Sequence, residues 1–222
     1  MKKKNGKEEK IKLNPIGLVN LSRYQKINNY KSFKKTSLLN SCYMNASIQC
    51  LFRIDRFVNN IIKYDGGNLV LATKQLIYDM QKHNNNQCSV LDIKNAMGEK
   101  EEKYNEEFQE DANEFITNYL NYLIEETRDF GQINWFYKIE DGGIFNKFYK
   151  RFQKRNGNSY IIDLFYWVFR TEYYCKNCKC IYNIKFNSFN ILEIPVIEKH
   201  SFKKNESLNV QNLIRKFYLR KR

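Results

Sequence analysis

An α+β fold is the class this sequence predicts, and two observations carry the prediction. Over residues 34–130 apolar side chains recur mainly at helical spacings of three and four, whereas from residue 131 onward the chain turns to aromatic and β-branched segments around a Cys-x-x-Cys turn. With 222 residues, 42% of them hydrophobic, and 16 tyrosines and 16 phenylalanines, there is material for one large core or two small ones. Three segments follow: a basic, flexible N-terminal tail over 1–33, a helical segment over 34–130 and a β segment over 131–222.

The formal net charge of +14 is unevenly spread, with +9 over residues 1–35, +7 over 199–222 and −2 over 36–198. A near-neutral body with basic ends is the pattern of solvated tails, so nucleic acid is not the expected partner. The alternative is weak electrostatic attachment to RNA, DNA or an anionic membrane. No apolar run reaches the roughly 18 residues a spanning helix needs, and the start Met1-Lys2-Lys3-Lys4 is not followed by the apolar stretch of a secretory signal. An intracellular, reducing compartment is therefore the default. There, six cysteines read as catalytic or metal-binding before disulfide-bonded.

In chain order, the tail holds one short apolar cluster, Ile16-Gly17-Leu18-Val19. A helix is predicted from Cys42, with Met44, Ile48, Leu51, Phe52, Ile54, Phe57, Val58, Ile61 and Ile62 near helical period until Asp65-Gly66-Gly67 breaks it. Cys42 then stands at a helix N-terminus, where free backbone N–H groups and the positive end of the dipole favour thiolate over thiol. The competing account is a small buried apolar residue. A second helix is predicted from Leu69 to about Lys82, with Leu71, Gln75, Leu76, Ile77 and Met80 near one side, and His83 following as a surface histidine. Leu91-Asp92-Ile93-Lys94-Asn95-Ala96-Met97 predicts a short helix, and Gly98-Glu99-Lys100-Glu101-Glu102-Lys103 an exposed loop.

The strongest helical pattern follows Phe108, with Ala112, Phe115, Ile116, Tyr119, Leu120, Leu123 and Ile124 on one face and Glu110, Asp111 and Glu114 crowding its start. Further on, the segments 161–174 and 181–196 predict two strands joined through the tight turn Cys175-Lys176-Asn177-Cys178. A Cys-x-x-Cys between strands is half of a zinc ribbon. Tetrahedral zinc wants four ligands, and Cys180, the one further cysteine nearby, is poorly placed as a third.

Two of these stretches resemble the motifs of one family. Asn40-Ser41-Cys42-Tyr43-Met44-Asn45-Ala46-Ser47-Ile48-Gln49 resembles the cysteine box of the ubiquitin-specific proteases, Gly-Leu-x-Asn-x-Gly-Asn-Thr-Cys-Tyr-Met-Asn-Ser-x-Leu-Gln. Gln109-Glu110-Asp111-Ala112-Asn113-Glu114-Phe115-Ile116 is similar to that family's Gln-Gln-Asp-Ala-His-Glu-Phe-Leu box, in the same order along the chain. The resemblance implies a papain-like fold, a helical thumb followed by β fingers, and a thiol hydrolase that cleaves after the C-terminal glycine of ubiquitin. It implies ubiquitin or ubiquitinated proteins as partners and no cofactor for catalysis. By position, Cys42 is the nucleophile, Ser37 stands where the family has its oxyanion Asn, and Leu39 stands where the family has Gly. Gln109 helps shape the site beside the nucleophile, while Asp111 and Glu114 line the channel for ubiquitin's arginine-bearing tail. Carboxylates three apart share a helix face, and such a pair suits guanidinium groups. The resemblance further implies structural zinc at Cys175 and Cys178, ahead of an apolar-Pro-apolar step, Ile194-Pro195-Val196. The family's second Cys-x-x-Cys is not found, so this is half a site.

The resemblance runs over roughly residues 34–217, the thumb and the first half of the fingers, and the helix at Ser207-Leu208-Asn209-Val210 onward belongs to it. The C-terminal palm is expected to be largely missing, with the histidine box and the third triad member, because His83 and His200 lie in no recognisable box. The leading expectation is a cysteine-type deubiquitinase by family whose chain, taken alone, lacks a general base. A catalytically dead ubiquitin-binding module is the second reading. A basic nucleic-acid-associated protein is the third.

Overall fold

A computed structural model describes residues 11, 13, 18, 40–82, 88–106, 108–129, 143–194 and 209–217. These form eight α-helices and one antiparallel hairpin: α1 (Cys42–Leu51), α2 (Asp55–Ile61), α3 (Asn68–Lys82), α4 (Leu91–Lys100), α5 (Ala112–Thr127), α6 (Ile144–Asn156), α7 (Tyr160–Phe165), β1 (Trp167–Tyr174), β2 (Ile181–Phe189) and α8 (Val210–Phe217). Helices with a small antiparallel sheet make the α+β class. Among the described residues no helix is long and apolar enough to cross a membrane.

The core is helical, and α5 is its central member, packing against α1, α3 and α7. Its stripe of Phe115, Tyr119, Leu120 and Leu123 is almost wholly removed from water, each large side chain contributing roughly 1.5–3 kcal/mol of transfer free energy. Tyr119 brings a hydroxyl into that core and pairs it with Thr73 Oγ1 at 2.7 Å. Burial thus costs no unmade hydrogen bond. Ile11, Leu13 and Leu18 of the N-terminal segment also pack against the core, and Ile11 N donates to Asn59 Oδ1 at 2.9 Å.

Several predicted elements are corrected. The single helix from Cys42 is two, because the chain turns through Phe52, Arg53 and Ile54 before Asp55 opens α2. The apolar period carries across the turn since both helices bury the same side, bringing the Phe52 and Phe57 rings to 6.2 Å. In α3, Leu71 is 52% exposed and Gln75 is exposed, while Leu69, Val70, Leu76, Ile77 and Met80 are buried. The charged run 98–103 is not an exposed loop: α4 continues to Lys100 and a 3-10 turn covers Glu102–Asn105. Two contacts hold that extension, Asn68 Nδ2 donating to Glu99 Oε2 at 2.7 Å and Lys100 Nζ facing Glu126 Oε1 at 3.8 Å.

The β segment is also more helical than predicted. Phe145, Phe148, Tyr149 and Phe152 recur at three and four, and α6 uses them to pack on Phe186 of β2 and Tyr166. Residues 160–165 are α7, not strand. Ser159 caps it, its Oγ accepting from Ile161 N at 3.2 Å, and Phe165 meets Phe57 edge-on at 5.8 Å. A short apolar run reads alike as buried strand or buried helix, so the cap decides. The hairpin itself begins at Trp167 and pairs Trp167 with Phe189 through Tyr173 with Asn183, with a bulge at Tyr173/Tyr174. β2 stops at Phe189, short of the predicted Val196, and Pro195 and Val196 lie outside the described residues.

Candidate active site

Cys42 is the first residue of α1 and is exposed. The first helical N–H bond runs from Asn45 to the Ser41 carbonyl, at 2.9 Å, so the N–H groups of Cys42, Tyr43 and Met44 precede the ladder and lie at the positive helix end. The approach is set by Asn40, whose φ of 65° is left-handed. Asn tolerates that region better than other non-glycine residues because its short amide bonds locally. Here the turn falls at Asn40, one residue after the position at which the family has Gly.

Aromatic contacts on Phe115 fix both α1 and the 3-10 turn Glu102–Asn105 against α5. Tyr43 is buried and meets the Phe115 ring edge-on at 5.6 Å, and Tyr104 meets the same ring at 5.9 Å. Burial first, then the nearby Glu110 carboxylate, push the Tyr43 phenol up to about 12. It therefore stays neutral, and serves as an anchor.

That packing brings the segment before α5 to the thiol. Gln109 Nε2 donates to Cys42 Sγ at 3.7 Å, across 67 residues of sequence. Asp111, two residues on, is the N-cap of α5: its Oδ1 accepts from Asn113 N at 2.8 Å and Glu114 N at 2.9 Å. Glu114 receives Lys103 Nζ at 2.6 Å, and Lys103 also pairs with Glu101 at 3.0 Å. The Glu114 contact is the main reason the Lys103 ammonium is raised above its ordinary value. Both carboxylates are exposed, in the first turn of the helix that starts beside Cys42.

Of the residues singled out in the sequence, Cys42, Gln109, Asp111 and Glu114 thus occupy one end of the α1/α5 pair. Ser37, Leu39, His83 and His200 lie outside the described residues. Sequence reasoning missed Lys103 as the partner of Glu114 and Asn40 as the left-handed residue. For Asn40 a signal was present, an Asn two residues before a helix start; for Lys103 there was none, since its pairing follows from the 3-10 turn.

Cys175 and Cys178 sit apart, at the hairpin turn. The backbone N–H groups of Cys178 and Asn177, and then the Cys178 thiol, point at the Cys175 sulfur and lower its pKa. This donor arrangement suits a thiolate that ligates a metal. Cys180 turns elsewhere: its N-terminal neighbour Lys179 is left-handed (φ 61°), and its Sγ donates to the Cys178 carbonyl at 3.5 Å. Among the described residues no three His, Cys, Asp or Glu side chains gather as a metal site. Tetrahedral zinc takes four ligands, of which these two thiols would supply half.

No curated protein matches the sequence. A family model described as ubiquitin carboxyl-terminal hydrolase matches residues 33–216, a span that includes the Cys42 helix, the α5 helix and the hairpin.

Proposed function

Because this chain belongs to the ubiquitin carboxyl-terminal hydrolase family, we propose that it carries the nucleophile half of a cysteine-type deubiquitinase site, with Cys42 as the attacking thiol. The observation that carries the reading is the amide of Gln109 within 3.7 Å of the Cys42 sulfur. It joins two motif boxes distant in sequence at one reactive atom. In the proposed step the Cys42 thiolate attacks the carbonyl carbon of ubiquitin's C-terminal glycine, giving a tetrahedral oxyanion beside the free N–H groups of α1. Gln109 orients the sulfur. Collapse, with a proton from solvent water to the departing nitrogen, expels the amine and leaves a thioester, which water then hydrolyses to the carboxylate and the regenerated Cys42 thiolate.

Asp111 and Glu114 are proposed to meet the arginine-bearing tail of ubiquitin. For Glu114 this means exchanging the Lys103 ammonium for a ligand guanidinium; for Asp111 it means using the oxygen not engaged in capping. Ser37 is proposed at the oxyanion position, where a hydroxyl replaces an amide donor. Zinc, when bound at Cys175 and Cys178, would brace the hairpin and supply no step of the reaction. The helical thumb over 34–130 and the fingers from 131 are proposed as the two domains of the site, preceded by the basic tail over 1–33. An intracellular protein is proposed on the same family ground.

A second reading, ubiquitin binding without turnover, is supported by Ser37 in the oxyanion position and by the two histidines of the sequence, which fall in neither box. Both readings are tested together by a ubiquitin derivative carrying a C-terminal electrophile. Cys42 is expected to be labelled slowly, Cys42→Ala not at all, and Gln109→Ala roughly tenfold more slowly than the parent through loss of the sulfur's hydrogen bond. Labelling at Cys50 or Cys88 in place of Cys42 would overturn the assignment.

A further inference from the structure

The C-terminal half of α5, the length of α6, the end of α7 and β2 enclose an open cleft of about 560 Å³. Arg128, Arg151 and Arg155 line it and are exposed, while Phe148, Phe152 and Tyr166 line it and are half-buried. Glu125 is the one acidic residue of the lining, so the cleft keeps two net positive charges. Neither Arg151 nor Arg155 has a hydrogen bond or ion pair with any described residue.

Helix stability does not account for this arrangement. Cations in the last turn complement the dipole, which covers Lys154 and Arg155 and, at the C-cap of α5, Arg128. Arg151 is mid-helix and gains nothing of the kind. Moreover α6 carries Lys147, Lys150, Arg151, Lys154 and Arg155 with no acidic residue. Its like charges at i and i+4, Lys147 with Arg151 and Arg151 with Arg155, repel one another.

We propose that this cleft is a binding site for the phosphate group of a phosphorylated ligand, held between Arg151 and Arg155 of α6 and Arg128 at the C-cap of α5. Two arginines one helical turn apart on α6 and a third at the end of α5 line one cleft, and arginine takes phosphate oxygens in forked pairs. The aromatic side chains give the body of the ligand a partly apolar floor. Because α5 rises about 1.5 Å per residue, its sixteen residues set Arg128 on the order of 24 Å along the helix from the Cys42 end. Occupancy is therefore separate from the thiol chemistry, and the proposal stands or falls independently of the deubiquitinase reading.

The test uses the full chain, a fluorescein-labelled phosphoserine peptide with its unphosphorylated counterpart, and inorganic pyrophosphate as competitor, all read by fluorescence anisotropy. The phosphopeptide or pyrophosphate is expected to bind, and Arg151→Gln/Arg155→Gln to weaken that binding roughly tenfold or more. Lys147→Gln/Lys154→Gln, which removes the same charge from α6 outside the cleft, is expected to change it about threefold or less. Arg128→Gln supplies the second element and should weaken binding with α6 untouched. Circular dichroism of each variant confirms that α6 persists. Tighter binding of the phosphopeptide than of pyrophosphate identifies a phosphorylated polypeptide as the source, and the reverse a free phosphorylated small molecule. Equal losses in the two double variants, equal binding of the unphosphorylated peptide, or binding of neither probe would overturn the proposal. A preference for single-stranded RNA, weakened alike by both doubles, would overturn it in favour of diffuse attraction along α6.

Discussion

Asp111 caps α5 while lying two residues from the amide that reaches Cys42, so the helix accounts for its identity before any ligand does. Glu114 is likewise engaged, through Lys103, in a chain of contacts that continues to Glu101 and the Tyr122 hydroxyl. That chain has a pH signature. The hydrogen bond from Tyr122 is the leading reason the Glu101 carboxyl is held below its ordinary 4.5. A carboxyl that ionises more readily folded than unfolded stabilises the fold above about pH 4.5, and the contribution disappears as pH falls through the depressed folded value. Tyr122→Phe should accordingly cost about 1 kcal/mol near neutral pH and less at pH 3, measured by urea unfolding. An equal loss at both values would mean that ring packing, not the carboxylate, is what Tyr122 supplies.

At the scale of elements, the start of α3 depends on a residue of α5. The Glu126 carboxylate accepts from Val70 N at 2.9 Å and Leu69 N at 3.4 Å, taking the place of a side-chain cap. Glu126→Ala should orphan those donors and cost about 1–3 kcal/mol, Glu126→Gln distinctly less, by thermal or urea unfolding; equal costs would locate the effect in charge alone. The hairpin gives a metal prediction. With Cys175 and Cys178 as half a site, the chain should bind zinc weakly or in less than one-to-one amount and lose it to a mild chelator. Tight one-to-one zinc would mean that further ligands, Cys180 or His200 among them, complete the shell. These elements also mark what the sequence made legible. α5 was readable because a long apolar stripe, a capping Asp and a family box agree. α6 and α7 were not: their aromatic and β-branched content favours strand by composition, and only the spacing of Phe145, Phe148 and Phe152 and the Ser159 cap turn them into helices.

For the whole molecule, one helical core carries both the thiol and the carboxylates, because Tyr43 and Phe115 lock α1 to α5. The Cys42–Gln109 proximity was legible only as a consequence of family resemblance: no periodicity relates residues so far apart in sequence, and packing brings them together. Charge was misleading as a guide to the body, since the basic excess lies at the ends, yet within the body it gathers locally on α6. This chain is proposed to hold the nucleophile, its orienting amide and the tail-binding carboxylates, while its two histidines lie in no recognisable box. Without a base a nucleophile loses orders of magnitude in rate, and if Ser37 holds the proposed oxyanion position, the exchange of Asn for Ser would remove up to about 2.7–4 kcal/mol of transition-state stabilisation where the hydroxyl does not compensate. The most direct measurement is hydrolysis of a fluorogenic ubiquitin C-terminal substrate by the 222-residue chain beside its Cys42→Ala variant. No multiple turnover is expected from either, with Cys42 still open to alkylation; sustained turnover by the parent and none by the variant would overturn the proposed lack of a base and assign that role to His83 or His200.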